Sequence, residues 1–579
     1  MLQAIETEDE IKSETPIVKI GNLSDFSGGM LTTLDPLKLE DNQYYFLKNG
    51  RVRYGDIESI NKPQDITSSI RTGHLQGLYA MGSSLILFSD GVAYFRDFGI
   101  SQQFFERIHG FEAMNASAAK IYAELVPTSY NNLERRSVSG NATDDVILGN
   151  NQFGSPASLV CQDGSHQPRL IFPNKLSKIA NDISRWTKDN REYVPVGKQM
   201  LYKDGVLYVV SPDGTLIYRS LIGRPLDFVI AIDNDGNRLP KITEEEAARL
   251  PHTVTFEAIT SLGNLNSPPT EANLSGAFLV TTEKFSWMVI PNTSKVVYSE
   301  PTFINVDLFP TGTLNQFSIV NILGDTVFVD YSGIKSFNAI SQFTNDGSNS
   351  SFSKDVHSLF RDKIQANPAS VVFDNYALFG VNTIYGEAIL VYDELYQKFV
   401  SIDIFDNVIG TITQFAEIKV NGARRLFFIT DANRLYEAYA STEVAECEVY
   451  TKEWASGDTM VEQHPQRINL SFADVVSPGG NVTVEEFVDR KSGGAKVKNI
   501  ASDYIPPASN IIDTPFGDST EENTKNVTFK LDHALKGYRA GLKIRFNFKG
   551  KLSLVEFRSK LITNKVSKRE KLELFNAAR

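Results

Sequence analysis

The feature that most constrains the fold is a loosely repeated pattern of two apolar strands joined by a short turn containing Gly, Asp or Asn. The second strand of each copy is rich in Tyr and Phe. Apolar strands separated by such turns predict antiparallel hairpins. The copies are Leu78–Phe98, Leu201–Leu221, Leu274–Ile290, Asn321–Ile340, Tyr376–Phe405 and Gly422–Ala440, with a weaker one at Ser158–Asn174.

The turn residues support this prediction. Asp90-Gly91, Asp204-Gly205 and Asp213-Gly214 are typical of two-residue hairpin turns, in which both backbone φ angles are positive. Asp163-Gly164 marks the same kind of turn. After Leu201 the copies follow one another at about 45 to 75 residues, the size of one four-stranded propeller blade.

We therefore predict an all-β fold with a β-propeller of six blades, or of seven as the alternative count. Separate β-sandwich domains would also give alternating strands and turns. The recurring strand pair at similar spacing favours the propeller.

Segments without the hairpin pattern predict the domain boundaries. The prediction is a flexible N-terminal arm at 1–20 and a propeller at 21–460, with loop and helical insertions around 107–196 and 340–368. A C-terminal β-sandwich-like domain follows at 461–563, because its strands are longer and lack the Gly-centred turn. A basic amphipathic helix is predicted at 564–579.

Two short helices are predicted within the loops. Ile242–Leu250 begins with a capping box formed by Thr243 and Glu246. Ser351–Gln365 places apolar side chains on one face of a helix. These side chains are Val356, Leu359, Phe360 and Ile364.

Composition limits the classes of function. Hydrophobic residues make up 41% of the 579 residues, enough for a packed interior. Cys161 and Cys447 form no CxxC pair, so no disulfide framework or zinc site is indicated, and both thiols are predicted to be buried. The N-terminus lacks secretion-signal features, and no apolar run approaches the roughly 18 residues of a membrane helix. We expect a soluble protein without membrane insertion.

The charge is unevenly distributed along the chain. The formal net charge is −12, yet Lys525–Arg579 contains 15 Lys and Arg against 4 Asp and Glu. A basic block on an acidic body is typical of a solvated face. It can also dock an acidic partner or a nucleic acid.

Sequence motifs for catalysis or metal binding are absent. The seven His are not spaced as HxH or HExxH, and there is no GxSxG, Walker or GxGxxG motif. Asp233, Asp235 and Gly236 are spaced as in a calcium loop. However, Ala231 and Ile242 occupy its first and last ligand positions, so this segment is interpreted as a turn.

A propeller glycosidase would need paired carboxylates across its central pocket. The stretch SPDGTLIY resembles the Ser-x-Asp-x-Gly turn repeat of sialidases, but Gly214 directly follows Asp213 and no Trp closes the motif. Only 3 Trp in the chain argue against a cleft that stacks sugars. We predict no catalytic residue, no metal and no cofactor, and therefore a protein that is not an enzyme.

The stretch Phe26–Pro63 has an unusual order of turns and short strands. A Gly-Gly turn leads through a polar run to a helix-like segment at Leu39–Leu47, which is followed by a basic strand, a Gly turn and Lys-Pro. This order resembles the N-terminal segment of tail nozzle (tail tubular) proteins of short-tailed bacteriophages, of the crAss-like or another podovirus type. Related proteins are also described as tail stabilisation or hub proteins. The matching residues are Gly28, Gly29, Asp35, Asn49, Gly55 and Pro63.

The resemblance implies a structural role in the virion. Nozzle proteins form rings, typically of six subunits, below the portal and adaptor rings, and the ring is a conduit for genome ejection. The matching segment would thread onto the first propeller blade and close the ring of blades. An acidic body fits a conduit, because each fixed phosphate contact would hold the passing DNA.

The implied partners are other copies of the chain, the portal and adaptor proteins, and tail fibre or other tail proteins. Double-stranded DNA would pass through the lumen without specific binding. The implied location is the virion tail, after assembly in the host cytoplasm. The basic block then becomes a candidate for docking the neighbouring ring. Its candidate residues are Lys560, Lys565, Lys568, Arg569 and Lys571.

Two alternatives from other classes stay open. The first is a propeller-type adhesin, or receptor- or glycan-binding protein, acting as a monomer or small oligomer. The second is a propeller carbohydrate-active enzyme.

Overall fold

The computed structural model describes residues 17–70, 73–100, 102–127, 135–137, 145–147, 157–181, 193–228, 251–265, 276–291, 303–338, 352–360, 365, 367–455, 462–475, 480–500, 525–531 and 536–562. The chain divides into two compact units. The propeller unit comprises Lys62–Gln397 and Ile404–Thr442. The sandwich unit comprises Met1–Asn61, Lys398–Asp403 and Glu443–Arg579.

The propeller unit is built from seven small antiparallel sheets, here called blades, with strands numbered in chain order. Blade 1 contains β6 (Leu75–Met81), β7 (Ser84–Ser89), β8 (Val92–Asp97) and β9 (Glu106–Arg107). Blade 2 contains β10 (Tyr122–Pro127), β13 (Ala157–Gln162), β14 (Arg169–Ile171) and β15 (Ser177–Ile179). A hairpin of β11 (Arg135–Ser137) and β12 (Asp145–Ile147) lies between β10 and β13 in the chain. Blade 3 contains β16 (Met200–Lys203), β17 (Val206–Val210), β18 (Leu216–Arg219) and β19 (His252–Thr253).

In the remaining four blades the first three strands follow the same order. Blade 4 contains β20 (Ser261–Asn264), β21 (Phe278–Thr281), β22 (Ser286–Pro291) and β23 (Phe303–Phe309). Blade 5 contains β24 (Ile319–Ile322), β25 (Asp325–Asp330) and β26 (Gly333–Ser336). In the propeller unit, blade 6 contains β27 (Ala369–Phe373), β28 (Tyr376–Thr383) and β29 (Gly386–Asp393). Blade 7 contains β31 (Ile412–Val420), β32 (Ala423–Thr430), β33 (Leu435–Glu437) and the earlier strand β5 (Gln64–Asp65).

The seven blades close into a ring. The first strand of each blade contacts the first strand of the next, from β6 through β10, β16, β20, β24 and β27 to β31, and β31 contacts β6. β5 completes blade 7 by pairing Gln64 and Asp65 with Glu437 and Tyr436 of β33. A strand from before blade 1 in the sequence therefore ties the last blade to the start of the ring, which covers an edge that would otherwise be exposed.

The predicted all-β propeller is confirmed, but the favoured count of six blades is wrong. Blade 2 accounts for the difference, because its four strands lie inside 107–196, which was predicted to be an insertion. The β11–β12 hairpin separates its first two strands, so the sequence shows no compact repeat there.

Apolar side chains fill the space between adjacent blades. All six residues of β7 are buried, because both faces of a middle strand pack against neighbouring blades. Blades 7 and 1 share a cluster that includes Leu78, Leu87 and Phe427. Blades 1 and 2 share another that includes Phe88 and Ile121.

Buried glutamines add a polar link between adjacent blades. The Gln414 Nε2 of blade 7 donates to the Leu78 carbonyl oxygen of blade 1 at 2.5 Å, and the Leu78 N–H donates to Gln414 Oε1 at 3.0 Å. Gln316, which precedes blade 5, makes the same two bonds to the backbone of Leu262 in blade 4, both at 2.8 Å. Each amide satisfies a backbone N–H and C=O on a first strand that has another blade beside it.

The sandwich unit consists of two facing sheets, which are antiparallel apart from the parallel pairing of Tyr44–Lys48 with Lys398–Asp403. The first has the strand order β3 (Gly50–Arg53), β4 (Asp56–Ser59), β41 (Lys551–Ile562), β36 (Glu462–Ala473) and β39 (Lys525–Lys530), and β1 (Ile17–Leu23) also pairs with β41. In this unit, the second has the order β30 (Lys398–Asp403), β2 (Tyr44–Lys48), β34 (Cys447–Thr451), β40 (Arg539–Phe546), β37 (Gly480–Val488) and β38 (Lys491–Ile500), and β35 (Trp454–Ala455) pairs with β40.

The core of the sandwich unit lies between these two sheets. Every second residue of β37 is buried, as expected for a sheet with one covered face. The Phe472 and Phe546 rings meet across the interior at 5.2 Å, and the Trp454 and Phe557 rings at 5.8 Å.

Cys161 and Cys447 are both buried and unpaired, as the sequence predicts for the thiols.

The unit boundaries differ from the predicted ones. β1 begins within the predicted flexible arm 1–20, and described residues from 21 to 61 belong to the sandwich unit rather than to the propeller. The ring is closed on blade 7 by β5, and not on blade 1 by the segment that resembles nozzle proteins. Strands that pair across several hundred residues leave no local signal of their partner. The predicted helix at 564–579 lies outside the described residues.

Local predictions had mixed outcomes. Leu39–Leu47 is not helical: a 3-10 turn at Pro36–Lys38 precedes it, and β2 begins at Tyr44. Lys354–Phe360 is a kinked 3-10 segment that buries Val356, Leu359 and Phe360. Further 3-10 turns lie at Thr67–Ser69 and Gln316–Ser318. Ile242–Leu250, Ile364 and the loop from Ala231 to Leu239 lie outside the described residues.

The hairpin turns are confirmed at two of the three strongest positions. Asp90 and Gly91 have φ values of 48° and 74°, and Asp204 and Gly205 have 48° and 83°. At Asp213-Gly214 the glycine alone has positive φ, 83°, because a longer turn joins β17 to β18.

Candidate functional site

The glycines and the asparagine that match nozzle proteins hold the backbone of the sandwich unit. Gly29 has φ 81°, and a Cβ there would lie 2.7 Å from the Lys398 Cβ. Gly55 has φ 87° in the β3–β4 turn, where its carbonyl accepts from the Phe26 N–H at 2.8 Å. Asn49 has φ 53°, and its Nδ2 donates to the Glu446 carbonyl at 3.1 Å. Gly28 lies against Asn42, so a side chain would clash there.

The two other matching residues make polar contacts. Asp35 accepts a hydrogen bond from the Leu37 N–H at 3.1 Å and pairs with Arg539 at 3.2 Å and Arg490 at 3.3 Å. The Leu37 N–H and then the arginines lower the pKa of Asp35. In the propeller unit, the Pro63 carbonyl accepts from Asn407 Nδ2 at 2.8 Å. The six matching residues thus have structural roles in the chain.

The described part of the basic block is partly neutralised within the sandwich unit. Half of its basic residues pair with carboxylates, some of which come from strands far away in the sequence. The pairs are Arg539–Glu453 at 3.2 Å, Lys543–Glu448 at 2.9 Å, Arg545–Glu485 at 3.5 Å, Lys551–Asp474 at 2.7 Å and Arg558–Glu556 at 2.8 Å.

Lys560, the one described member of the predicted docking set, is half-buried in β41, which pairs on its two sides with β1 and β36. Lys565, Lys568, Arg569 and Lys571 lie outside the described residues. The predicted docking role of the block therefore stays a prediction.

The first strands of the blades surround a cavity of about 300 Å³ within the propeller unit. Aromatic rings cross it: Tyr122 and Phe317 stack with their centroids 6.0 Å apart, and Tyr79 lies 6.4 Å from Phe317. The Tyr79 hydroxyl donates to the Ile121 carbonyl at 2.7 Å. A cavity of this size cannot pass a nucleic acid duplex.

Glu124 is the one carboxylate among the described residues that line this cavity. It accepts a hydrogen bond from the Tyr202 N–H at 3.0 Å, and burial raises its pKa to about 7. Burial also raises the pKa of Glu387 to about 7, but Glu387 lies on the third strand of blade 6 and does not line the cavity. The described cavity therefore lacks the pair of carboxylates that glycoside hydrolysis uses.

Among the described residues, no three His, Cys, Asp or Glu side chains are grouped as metal ligands. The described helical segments include none that is long and apolar enough to span a bilayer.

The turns between the second and third strands of the blades lie at one end of the propeller, because blades repeat about the axis in one orientation. In blades 1, 2, 3 and 7 these turns are polar. They contain Asp90, Asp163, Asp213 and Asp431. Each of these aspartates accepts hydrogen bonds from main chain that lies nearby.

In blades 4, 5 and 6 the same turns expose apolar side chains. Phe285 is 41% exposed, Tyr331 45%, Ile384 47% and Tyr385 53%. Phe256, 97% exposed, precedes blade 4. These five residues are named the apolar rim.

Two contacts show that neighbouring parts of the apolar rim adjoin. The Thr282 hydroxyl of blade 4 donates to the carboxylate of Glu257 at 2.9 Å, beside Phe256. Burial and the Glu283 carboxylate raise the pKa of Tyr331, so the turns of blades 4 and 5 lie next to each other. The apolar rim could not be predicted from the sequence. Single exposed apolar residues are common, and only the closed ring of blades brings these five residues to one end of the propeller.

The chain matches no protein-family model and no curated protein. Among solved structures it is similar to an exo-β-1,3-galactanase from Phanerochaete chrysosporium, at 9% identity over 84% of this chain and 96% of that chain, with a TM-score of 0.23. It is also similar to the C-terminal WD40 domain of Sif2, at 8% identity over 73% of this chain and 98% of that chain, with a TM-score of 0.30. The propeller assignment stands on the strand order and ring closure of this chain, and these likenesses carry no argument about activity.

Proposed function

We propose that the chain is a non-enzymatic structural component of the tail of a short-tailed bacteriophage. Copies of it would form a hexameric ring, in the manner of nozzle proteins, through which the genome is ejected. The observation that carries the proposal is the resemblance of Phe26–Pro63 to nozzle proteins. The structural roles of the matching residues support it, because a structural component needs these residues for its backbone and not for catalysis. Partners would be portal, adaptor and other tail proteins.

The apolar rim supports a function that works through protein surfaces. A cluster of exposed apolar residues marks an interaction site more often than it marks chance exposure. We propose that the rim contacts the adjacent copy or a neighbouring tail protein. Because the propeller's own cavity is filled by aromatic rings, the conduit would lie between copies, where the acidic body would repel the passing DNA.

The first test is the mass and shape of the purified full chain, measured by light scattering and negative-stain microscopy, alone and mixed with virion tail extract. We expect rings of about six subunits with an open centre. A chain that stays monomeric in both conditions would overturn the proposal. Assays for receptor and glycan binding would then test the adhesin alternative.

The role of the rim has a matched test. The double change Phe285→Ser and Tyr331→Ser should shift the particles towards monomers, because both side chains are exposed and neither change disturbs the core. Phe104→Ser removes another exposed ring, 62% accessible, from outside the rim and should leave assembly unchanged. Unchanged rings in the double variant would exclude the rim as the contact while leaving the ring itself established.

A further inference from the structure

A second cavity, of about 840 Å³, lies between blades 1 and 2 of the propeller unit. One wall is the segment that leaves blade 1, and the other is formed by the third and fourth strands of blade 2. The described residues that line it are Arg107–Glu112, Arg169 and Ser177–Ile179. It is separate from the cavity on the propeller axis, with which it shares no lining residue.

The lining is rich in positive charge. Arg107, Arg169 and Lys178 contribute three cations, His109 adds an imidazole, and Glu112 is the single carboxylate among the described lining residues. A concave surface lined by one sign of charge concentrates ions of the opposite sign.

The Arg169 guanidinium lacks part of its hydrogen-bond acceptors. The residue is 5% exposed. Its Nη2 lies 3.1 Å from Glu112 Oε2, and its Nε donates to the Glu112 carbonyl at 3.4 Å. Its buried Nη1 has no acceptor among the described residues. A buried donor without an acceptor is costly, particularly on a charged group.

The partner of Arg169 is itself exchangeable. The Glu112 side chain is 66% exposed, so it can turn to water when another oxyanion replaces it on the buried Arg169 guanidinium. Arginine presents a planar fork of donors that matches carboxylate and phosphate oxygens. The Glu112 carboxylate therefore occupies one edge of a guanidinium whose donors also match an external oxyanion.

We propose that this cavity is a binding site for an oxyanion of the phosphate or sulfate type. Arg169 would be its buried anchor, with Arg107 and Lys178 at its sides. The cavity is larger than a free phosphate needs, so it would also admit a group that carries the anion. The site is independent of the proposed tail function.

The test is isothermal titration calorimetry of the full chain with inorganic phosphate and with sulfate, with chloride at matched ionic strength as the reference. We expect saturable heat for phosphate or sulfate and none for chloride. Arg107→Gln should weaken the affinity about tenfold, because an exposed cation at the cavity is lost without disturbing the core. Glu112→Gln should strengthen it, because a competing carboxylate is removed.

Lys335→Gln in blade 5 is the charge-matched control and should bind as the unchanged chain does. Absence of saturable heat for both anions would overturn the proposal. Equal affinity in Arg107→Gln and Lys335→Gln would also overturn it, since the anion would then bind elsewhere.

Discussion

The propeller and sandwich units use different polar groups to join their β-strands: neutral amides in the propeller and an ion pair in the sandwich. In the propeller each blade is built mainly from one stretch of sequence, and buried amides such as Gln414 and Gln316 bind the backbone of the adjacent blade. In the sandwich, strands from distant parts of the chain meet, and an ion pair lies in the interior: Arg51 binds Asp403 through two hydrogen bonds of 2.8 and 2.6 Å.

This difference predicts which substitutions destabilise each unit most. A neutral amide fixes the spacing of two strands without burying a charge. A buried ion pair is costly when one partner is lost, because the other charge stays in the interior. The Arg51 and Asp403 side chains are 6% and 0% exposed. The sandwich should therefore be more sensitive to single charge changes than the propeller.

The largest expected effect comes from Asp403→Asn. It leaves the Arg51 guanidinium buried without its counter-ion, and the free energy of unfolding of the sandwich unit should fall by about 3–5 kcal/mol. Urea denaturation, with hydrogen exchange mass spectrometry to assign the change to a unit, measures it. Asp406→Asn, at an exposed carboxylate that pairs with Lys62, is the control and should have little effect. Equal losses of unfolding free energy in Asp403→Asn and Asp406→Asn would contradict the larger role given to the buried ion pair.

A smaller loss is expected from Gln414→Leu in the propeller. The change leaves the Leu78 N–H and carbonyl without partners at the junction of blades 7 and 1. The free energy of unfolding should fall by about 2 kcal/mol, with increased exchange in β6 and β31. Gln43→Leu removes an amide whose bond to the Glu40 N–H is exposed, and should change stability little. A neutral result for Gln414→Leu would mean that apolar packing alone sets the blade spacing.

The pH response should occur in both units. Burial raises the pKa of Glu124 in the propeller and of Glu486 in the sandwich from 4.5 to about 7. Between these values the folded chain holds a proton that the unfolded chain has released. Stability should therefore fall as the pH rises from about 5 to about 7 and then level off.

Glu124→Gln and Glu486→Gln should each make this profile less steep in their own unit. In the propeller unit Glu387, whose pKa burial also raises to about 7, should keep part of the slope. Thermal unfolding across the pH range, with hydrogen exchange to localise the change, provides the measurement. A profile that rises from pH 5 to 7 in both variants and in the unchanged chain would contradict the assignment.

The smallest effect is expected at the surface pairs of the sandwich. Lys551 lies 2.7 Å from Asp474, but the two side chains are 27% and 55% exposed. Lys551→Gln should change the free energy of unfolding by less than about 1 kcal/mol, and 1 M salt should remove even that. A larger loss, measured by urea denaturation at low salt, would show that the exposed pairs act as a network.

Much of the propeller could be predicted from sequence because its hairpins are local. Asp90-Gly91 and Asp204-Gly205 mark turns whose positive φ values only a few residue types adopt easily. Blade 2 could not be counted, because β10 and β13 are separated by an inserted hairpin. The apolar rim and the cavity around Arg169 were not predicted, because their residues become neighbours only through the ring.

Less of the sandwich fold could be predicted from the sequence. The turns within Phe26–Pro63 could be predicted from residue type, because Gly29, Asn49 and Gly55 lie at positive-φ positions that these residue types adopt easily. The helix predicted at Leu39–Leu47 was wrong, and the pairing of this segment with strands from the other end of the chain became visible in the folded structure alone. The physical reason is that turn chemistry acts over a few residues, whereas strand pairing and the burial of Arg51 with Asp403 depend on surfaces assembled from residues hundreds of positions apart.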